Sequence, residues 1–183
     1  MALENSDIQN KLTEAFGDAV KYFQQEQDVF AFEVDAAQNT AVILFLKNNP
    51  DLRFEFLTDV CGVHYPDNDE SEQFSVVYHM HNWYENKRIR IRAFLSGSKP
   101  EIKTVSNIFL SANWMERETY DFFGIEFIGH PQLKRILNMD EMESFPMRKE
   151  FPMEDSGRTD KDDRFFGRDG HEGRGEGDRA GAA

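Results

Sequence analysis

Two alternating segments in the middle of the chain decide its fold class. They read Phe74-Ser-Val-Val-Tyr-His-Met-His81 and Lys87-Arg-Ile-Arg-Ile-Arg-Ala-Phe-Leu95. Both are rich in β-branched and aromatic residues, and the second alternates isoleucine with arginine, which is typical of a strand with one buried face. A short polar loop separates them. We therefore predict a hairpin whose isoleucines face the core and whose arginines face away from it.

Upstream of this hairpin, the sequence predicts a helix, a second hairpin and a second helix. Apolar residues recur at helical spacing over residues 6–24. Residues 30–34 alternate and the apolar run 41–46 is rich in strand formers, so these two segments are predicted to pair as strands. An Asn-Pro pair opens the next predicted helix, over residues 49–60.

Downstream, a third helical region is predicted over residues 104–123, ended by Gly124 and followed by a short strand at 125–128. This element order indicates an α+β fold, with an antiparallel sheet and helices packed on one face. We place this domain at residues 1–152. Residues 153–183 are rich in glycine and charge, with too little apolar surface to offset their chain entropy. We expect them to form an extended, disordered C-terminal tail.

Composition narrows the possible functions. The chain has 21 basic and 34 acidic residues, a net charge of −13, which argues against nucleic acid as a partner. The longest purely apolar run, residues 41–46, is too short to span a membrane, which takes about 20 residues. The first seven residues lack the basic and apolar regions of a secretory signal, so we expect none. The single cysteine, Cys61, excludes an intramolecular disulfide and fits a reducing compartment.

The chain also lacks the usual ligand sets of redox cofactors and metals. An iron–sulfur cluster takes about four thiolates, and this chain has one cysteine. Its glycines form neither a dinucleotide-binding nor a phosphate-binding motif. His79 and His81 share one strand face, but no third ligand accompanies them at zinc-site spacing, so we interpret them as packing residues. If the protein belongs to a redox enzyme, its cofactors must lie on other chains.

The third helical region contains a carboxylate in an unusual position. Glu116 falls in the middle of the apolar face, where a charge costs several kcal/mol unless it is paired or hydrogen-bonded. Two arrangements would satisfy it. One is a capping box with Asn113 as the N-cap, and the other is an ion pair with an arginine or lysine from elsewhere in the chain, such as Arg148. Both make Glu116 a structural buried acid.

The opposite face of the same helix is predicted to point outward. It carries Trp114, Arg117, Glu118 and Asp121. A tryptophan among charged residues has the composition of an interface anchor, and we prefer that interpretation to an isolated exposed side chain. Arg117 and Asp121 are spaced for a local ion pair worth a few tenths of a kcal/mol. Two acids one turn apart, without a predicted substrate cleft or nucleophile, do not support a hydrolase.

The arginines of the central hairpin form a basic stripe on the strand face away from the core. They are Arg88, Arg90 and Arg92. Three interpretations stay open: a solvated sheet face, a docking site for an acidic partner, and a guide for the chain's own acidic tail.

A longer pattern of motifs surrounds the third helical region. Its segments are Glu116-Arg-Glu118, Asp121-Phe-Phe-Gly124, His130-Pro131, Lys134-x-Ile136-Leu137 and Met147-Arg-Lys-Glu-Phe-Pro152. In these segments the chain resembles the C subunit of NADH-quinone oxidoreductase, the respiratory complex I. Weaker similarity extends through residues 56–59, 65–66, 77–79 and 88–92, so neither the first helix nor the tail is covered. One departure is His64, where the family usually has an aspartate before Tyr-Pro.

The resemblance implies a hydrophilic, non-catalytic subunit of the peripheral arm, on the cytoplasmic face of the inner membrane. Members of this family dock on the D subunit, beside iron–sulfur subunits, and support assembly of the quinone-reducing module. They carry no cofactor, since FMN and the iron–sulfur clusters lie on other subunits. The whole complex passes electrons from NADH to quinone and translocates protons. Candidate partner-interface residues are then Trp114, Arg117, Glu118, Asp121, His130, Lys134, Arg148 and Lys149.

Two other functions stay open at this point. One is the equivalent subunit of a membrane-bound hydrogenase or a ferredoxin-dependent quinone reductase. The electron donor of the purified complex would distinguish these enzymes from an NADH-quinone oxidoreductase. The other is a free-standing acidic binding module that uses Trp114 and the tail. Size exclusion of native lysate would distinguish the two, because a free-standing module elutes as a small protein and a subunit elutes with its large complex.

Overall fold

The computed structural model describes residues 3–151. The predicted tail, residues 153–183, lies outside the described residues, and both its disorder and the domain boundary stay predictions. The described helices and strands follow one another as α1 (Asn5–Phe16), β1 (Val20–Glu26), β2 (Val29–Val34), α2 (Asn39–Asn48), β3 (Phe56–His64), β4 (Phe74–Asn82), β5 (Lys87–Leu95), β6 (Glu101–Lys103), α3 (Ala112–Phe123) and β7 (Glu126–Ile128).

Five strands form the main sheet, in the order β1-β2-β5-β4-β3. Three of the four pairings are antiparallel, but β2 runs parallel to β5. The α+β class is therefore confirmed, whereas the prediction of a wholly antiparallel sheet is wrong. A parallel pair needs a long crossover instead of a tight turn. Here the crossover contains α2, β3 and β4, so no local pattern indicates the pairing.

The central hairpin is confirmed. Strands β4 and β5 pair from Phe74 opposite Leu95 to Asn82 opposite Lys87. Ile89 on β5 is fully buried, while the arginine stripe lies on the opposite face of the strand. The alternation of apolar and charged residues therefore predicted both the strand and the direction of its side chains.

Two predictions in the first half of the chain are wrong. Residues 41–46 lie in α2 rather than in a strand, because a short, buried apolar run has no periodicity that separates the two structures. Residues 49–60 do not form a helix. The Asn49 side chain instead accepts a hydrogen bond from the Asp51 N–H at 3.0 Å, which makes a turn, and the chain then enters β3 at Phe56.

The first helix is shorter than predicted, and a strand follows it. α1 ends at Gly17, whose φ of +55° a side chain would strain. The rest of the predicted helix is a 3₁₀ turn (Gly17–Ala19) followed by β1, an edge strand that the periodicity did not indicate. Its Phe23 ring packs against the rings of Phe30 and Phe32 on β2, at centroid distances of 6.0 and 5.6 Å. Phe23 continues the helical spacing of apolar residues in the sequence, but these aromatic contacts show that it packs as a strand residue.

The third helical region also begins later than predicted. Residues 104–111 form turns, and α3 starts at Ala112. Gly124 ends α3 in the left-handed conformation with φ +71°, as predicted. The short strand predicted at 125–128 is β7, which pairs in parallel with β6.

The core lies between the helices and one face of the main sheet, which confirms the predicted layering. Its helical members include Ile8, Leu12, Val42, Ile43, Leu46 and Ala112, and its sheet members include Phe32, Tyr78, Met80, Ile89 and Ile91. Burial of this apolar surface is the main stabilising contribution to the fold. None of the helices described here is long and apolar enough to cross a membrane.

Candidate functional site

Glu116 is buried on the inner face of α3, as predicted. Its carboxylate accepts a hydrogen bond from the Val105 backbone N–H at 2.7 Å and another from the Thr104 hydroxyl. Burial raises the pKa of Glu116 to about 7, although both hydrogen bonds act in the opposite direction. The carboxyl group therefore ties the turn before α3 to the first half of the helix.

Both arrangements expected for Glu116 are wrong. Asn113 is not the N-cap, because α3 is capped at Ser111 and no side chain bonds the free N–H groups there. Arg148 does not reach the carboxylate. Its Nε donates instead to the backbone carbonyl of Phe123 at 2.7 Å. The true donors lie in a turn about twelve residues upstream, and no spacing rule for helices covers such a partner.

Asp121 faces inward, which contradicts its predicted outward position. Its side chain is fully buried. Oδ2 accepts the backbone N–H groups of Ile136, Leu137 and Asn138 at 2.8–3.0 Å, and Oδ1 accepts the side chains of Arg135 and Asn138 at 2.8 and 3.1 Å. Burial alone would raise the pKa of Asp121, but hydrogen bonds from Asn138, Leu137 and Arg135 hold it well below its usual range.

The chain after β7 folds back along α3 and covers the side that a helical wheel leaves exposed. Arg135 donates to the carbonyls of Met142 and Ser144 at 2.6 and 3.0 Å, as well as to Asp121. The predicted local ion pair between Arg117 and Asp121 is therefore wrong. Arg117 donates to the backbone carbonyls of Lys134 and Arg135, at 3.0 and 3.3 Å.

An exposed surface remains beside this fold-back. Trp114 is 64% exposed, as predicted, and the Arg117 guanidinium lies 4.9 Å from the centre of its ring. Leu110 and Leu137 are also exposed, at 88% and 65%. We call Leu110, Trp114, Arg117, Lys134 and Leu137 the signature surface. It combines large apolar groups with two cations, which is the composition of protein interfaces.

His130, another interface candidate, has a fully buried side chain. Its Nε2 lies 3.1 Å from the carbonyl of Asn113, and its Nδ1 accepts the N–H of Gln132 at 3.0 Å. These two bonds fasten the turn after β7 to the start of α3. His130 therefore positions the fold-back, and its ring offers no free nitrogen to a partner.

Arg148 and Lys149 lie apart from the signature surface, at the end of the main sheet. The Arg148 guanidinium lies 5.0 Å from the centre of the Phe74 ring. The Lys149 N–H donates to Nδ1 of His64 at 3.0 Å, and His64 stacks on Phe74 at 4.4 Å. Burial lowers the pKa of His64. A neutral imidazole thus accepts the hydrogen bond from the Lys149 N–H.

The arginine stripe is partly paired within the domain. Arg90 and Arg92 bind the two carboxylate oxygens of Glu26 on β1, at 2.6 and 2.7 Å. The Arg90 Nε also donates to His79 at 2.9 Å. The stripe therefore mainly links the edge strand to the centre of the sheet.

Within residues 3–151, no group of three or more His, Cys, Asp or Glu residues is placed to hold a metal ion.

A family model matches most of the described chain. It is that of the respiratory-chain NADH dehydrogenase 30 Kd subunit, and it covers residues 32–157. The chain belongs to this family. The resemblance to the C subunit of NADH-quinone oxidoreductase is therefore confirmed, and the match includes the whole signature surface but not α1.

Relatives within this family of complex I C subunits match along most of the chain. The second C subunit of NADH-quinone oxidoreductase from Rhizobium meliloti (strain 1021) is 42% identical over 76% of this chain and 75% of its own length. The protein of the same name from Rhizobium etli (strain CIAT 652) is 38% identical over 84% and 80%. The C subunit of NADH-quinone oxidoreductase from Roseiflexus sp. (strain RS-1) is 34% identical over 91% and 95%.

Solved structures share the fold of this family member. The trypsin-resistant fragment of Nqo5 superposes with a TM-score of 0.58 at 28% identity, over 69% of this chain and 98% of the fragment. A chain of the membrane-bound sulfane sulfur reductase, an archaeal respiratory membrane complex, reaches a TM-score of 0.68 at 23% identity, over 81% and 85%. The second likeness shows the fold alone.

Proposed function

We propose that the chain is the C subunit in the peripheral arm of a proton-translocating NADH-quinone oxidoreductase. It docks on the D subunit, supports assembly of the quinone-reducing module and takes no part in electron transfer. The observation that carries this proposal is the signature surface, an exposed apolar and cationic area inside the segment that the family model matches. We place the protein on the cytoplasmic face of the membrane, in contact with other subunits of the complex.

The signature surface is built so that docking needs little reorganisation. Asp121 fixes the backbone of residues 136–138 with three hydrogen bonds, and Arg117 fixes the backbone at Lys134. The Trp114 ring is held by its contact with Arg117. Since ordering of loops and side chains costs free energy on association, a surface ordered in advance favours binding. A central tryptophan is also a common energetic anchor of interfaces.

We propose that FMN and the iron–sulfur clusters belong to other subunits. The ligand of such clusters is the thiolate, and this chain has one cysteine. Burial, together with nearby Asp59, raises the pKa of the Cys61 thiol to about 11. The thiol is therefore protonated at neutral pH and suits a structural position.

A pull-down of the tagged full chain from detergent-solubilised membranes, with mass spectrometry of the captured proteins, tests the proposal. We expect flavin, iron–sulfur and antiporter-like subunits, with the D subunit cross-linked to the tagged chain, and NADH–quinone activity in the eluate. Subunits of a hydrogenase, or activity with ferredoxin instead of NADH, would assign the chain to a related complex. Recovery of the chain alone would contradict the proposal and favour a free-standing binding module.

A further inference from the structure

A row of polar and charged side chains crosses the main sheet on the face away from the helices. Strand pairing sets Asp59 on β3 opposite His79 on β4, and His79 opposite Arg90 on β5. Arg90 reaches over β2 and binds Glu26 on β1 at 2.6 Å. The β2 residue opposite Arg90 is Ala31, whose short side chain leaves room for this crossing. We call Asp59, His79, Arg90 and Glu26 the cross-sheet row, since it joins the two edge strands.

The hydrogen bonds of the cross-sheet row fix the protonation of His79. The Arg90 Nε–H donates to Nε2 of His79 at 2.9 Å. A guanidinium has donors only, so Nε2 must offer a lone pair, and the ring is neutral with its proton on Nδ1. Nδ1 lies 3.9 Å from Oδ2 of Asp59, which is too far for a hydrogen bond. The structure therefore shows the neutral form of His79, bound to Arg90 and not to Asp59.

Protonation of His79 is incompatible with this arrangement. Both nitrogens of an imidazolium are donors, so the bond from Arg90 would be lost and two cations would face each other. Asp59 offers the alternative partner, because among residues 3–151 its carboxylate forms no ion pair with a lysine or arginine. Arg90 and Asp59 are also the charged groups that act on the ring. Burial and Arg90 lower the pKa of His79, and Asp59 raises it.

We propose that His79 is a proton-operated switch, which binds Arg90 when it is neutral and Asp59 when it is protonated. The inference goes beyond the proposed function and does not depend on docking. At neutral pH, the Arg90 guanidinium is held from two sides, by His79 and by Glu26. In mild acid it loses one of these bonds and gains a positive neighbour, so its hold on Glu26 weakens.

The hold on Glu26 matters for β1, because the ladder between β1 and β2 is irregular. Its register shifts between Lys21 and Gln24, and the intervening Tyr22 has a φ of +54°. In the described sheet, β1 is an edge strand whose only neighbour is β2. The bonds from Glu26 to β5 therefore contribute to its attachment. The switch thus controls how firmly β1, and α1 before it, are attached to the sheet.

Nuclear magnetic resonance of the full-length chain tests the switch at its two central residues. At about pH 8, nitrogen chemical shifts should place the proton of His79 on Nδ1, and the Arg90 Nε–H should exchange slowly with water. At about pH 5, its exchange should be about fivefold faster after correction for the intrinsic pH dependence, as for the loss of one hydrogen bond. A proton on Nε2 at the higher pH, or unchanged protection of the Arg90 Nε–H, would overturn the inference.

Two glutamine variants separate the switch from general effects of acid. His79→Gln places a neutral acceptor near the position of Nε2, so the Arg90 Nε–H should stay protected at both pH values. His81→Gln removes the other histidine on this face of β4, which contacts Asn86 and not Arg90, and should leave the wild-type change intact. If His79→Gln kept the change, or His81→Gln removed it, the switch would not lie at His79.

The two ends of the cross-sheet row provide further readouts. Asp59 raises the pKa of His79, so Asp59→Asn should lower the pH at which the Arg90 signal changes. An unchanged transition would exclude Asp59 as the alternative partner. Over the same pH range, corrected exchange of the β1 amides should accelerate by about threefold or more in wild type and stay constant in His79→Gln. Equal protection of β1 while Arg90 is released would overturn the control of Glu26.

Discussion

A single nitrogen of Arg135 lies 2.8 Å from two oxygens of Asp121, one in its carboxylate and one in its backbone carbonyl. Both side chains are buried, Asp121 completely and Arg135 to all but 7%. Water and salt therefore screen this pair much less than a surface ion pair. The pair joins the end of α3 to the segment that presents Leu137, so part of the signature surface depends on it.

Replacement of Asp121 should therefore destabilise the domain. Asp121→Asn keeps the shape but leaves Arg135 without its counter-charge, and we expect a loss of about 3–5 kcal/mol in the free energy of unfolding. Urea denaturation of the variant and of wild type measures this difference in the free energy of unfolding. The matched change Glu118→Gln, on an exposed carboxylate of the same helix, should stay within about 0.5 kcal/mol. A similarly small loss for Asp121→Asn would contradict the assigned role.

Protonation of the same carboxylate should lower the stability of the domain in acid. The folded pKa of Asp121 lies well below its ordinary value of 3.8. Its contribution to stability is therefore present above pH 3.8 and is lost as the pH falls through the folded pKa. In an acid titration of stability, wild type should lose more free energy than Asp121→Asn over this range. Parallel titration curves would contradict the prediction.

Glu116 should show the opposite pH dependence. Its folded pKa of about 7 lies above the ordinary value of 4.5, so its contribution is fully present below pH 4.5 and is lost as the pH rises through 7. The loss is about 2–4 kcal/mol, because one pKa unit corresponds to about 1.4 kcal/mol. Glu116→Gln should remove this dependence between about pH 5 and about pH 8.5, as measured by urea denaturation at each pH. If the free energy of unfolding of Glu116→Gln fell with pH as steeply as that of wild type, the prediction would be wrong.

Trp114 should matter for assembly and not for folding. Trp114→Ala should weaken recovery of partner subunits by about tenfold or more, since an interface anchor contributes about 2 kcal/mol or more. Its unfolding midpoint should stay near that of wild type, because the ring is 64% exposed. Trp83, on the loop between β4 and β5, is 62% exposed and offers a matched control in Trp83→Ala. If Trp83→Ala weakened assembly and Trp114→Ala did not, the interface would lie at that loop instead.

His64 should make the end of the sheet sensitive to mild acid. Because burial lowers its pKa below the ordinary value of 6.5, its contribution to stability is present above pH 6.5 and is lost as the pH falls through the folded pKa. Protonation also removes the acceptor for the Lys149 N–H. His64→Asp replaces the imidazole with a carboxylate acceptor and should abolish the change between about pH 7.5 and about pH 5.5. Amide exchange at Lys149, corrected for its intrinsic pH dependence, measures this, and equal acceleration in both proteins would contradict it.

Features that rest on neighbours in the sequence were predictable. The alternation of Ile89 and Ile91 with arginines located β5 and its buried face, and Gly124 marked the end of α3. Burial of Glu116 followed from its place on the apolar face. In each case the interaction that decides the structure lies within one helical turn or one strand, where periodicity is informative.

Features that rest on distant partners were not predictable. The donors to Asp121 come from residues 135–138, and a helical wheel describes α3 without the chain that later covers it. The run 41–46 suits a strand by composition, and only its burial among other elements makes it a helix. The acceptor role of His64 required knowledge that Lys149 returns to the same end of the sheet.

The parallel pairing of β2 with β5 also determines the order in which the sheet can be completed. Strand β5 lies between β2 and β4, although β2 is synthesised well before it. During translation, the first hairpin and β4 therefore wait with unpaired backbone edges until residues 87–95 leave the ribosome. Long-range pairings of this kind form slowly, and open edges recruit other chains. We therefore expect the nascent first half of this protein to be more prone to aggregation than the completed domain, in which β5 fills these open edges.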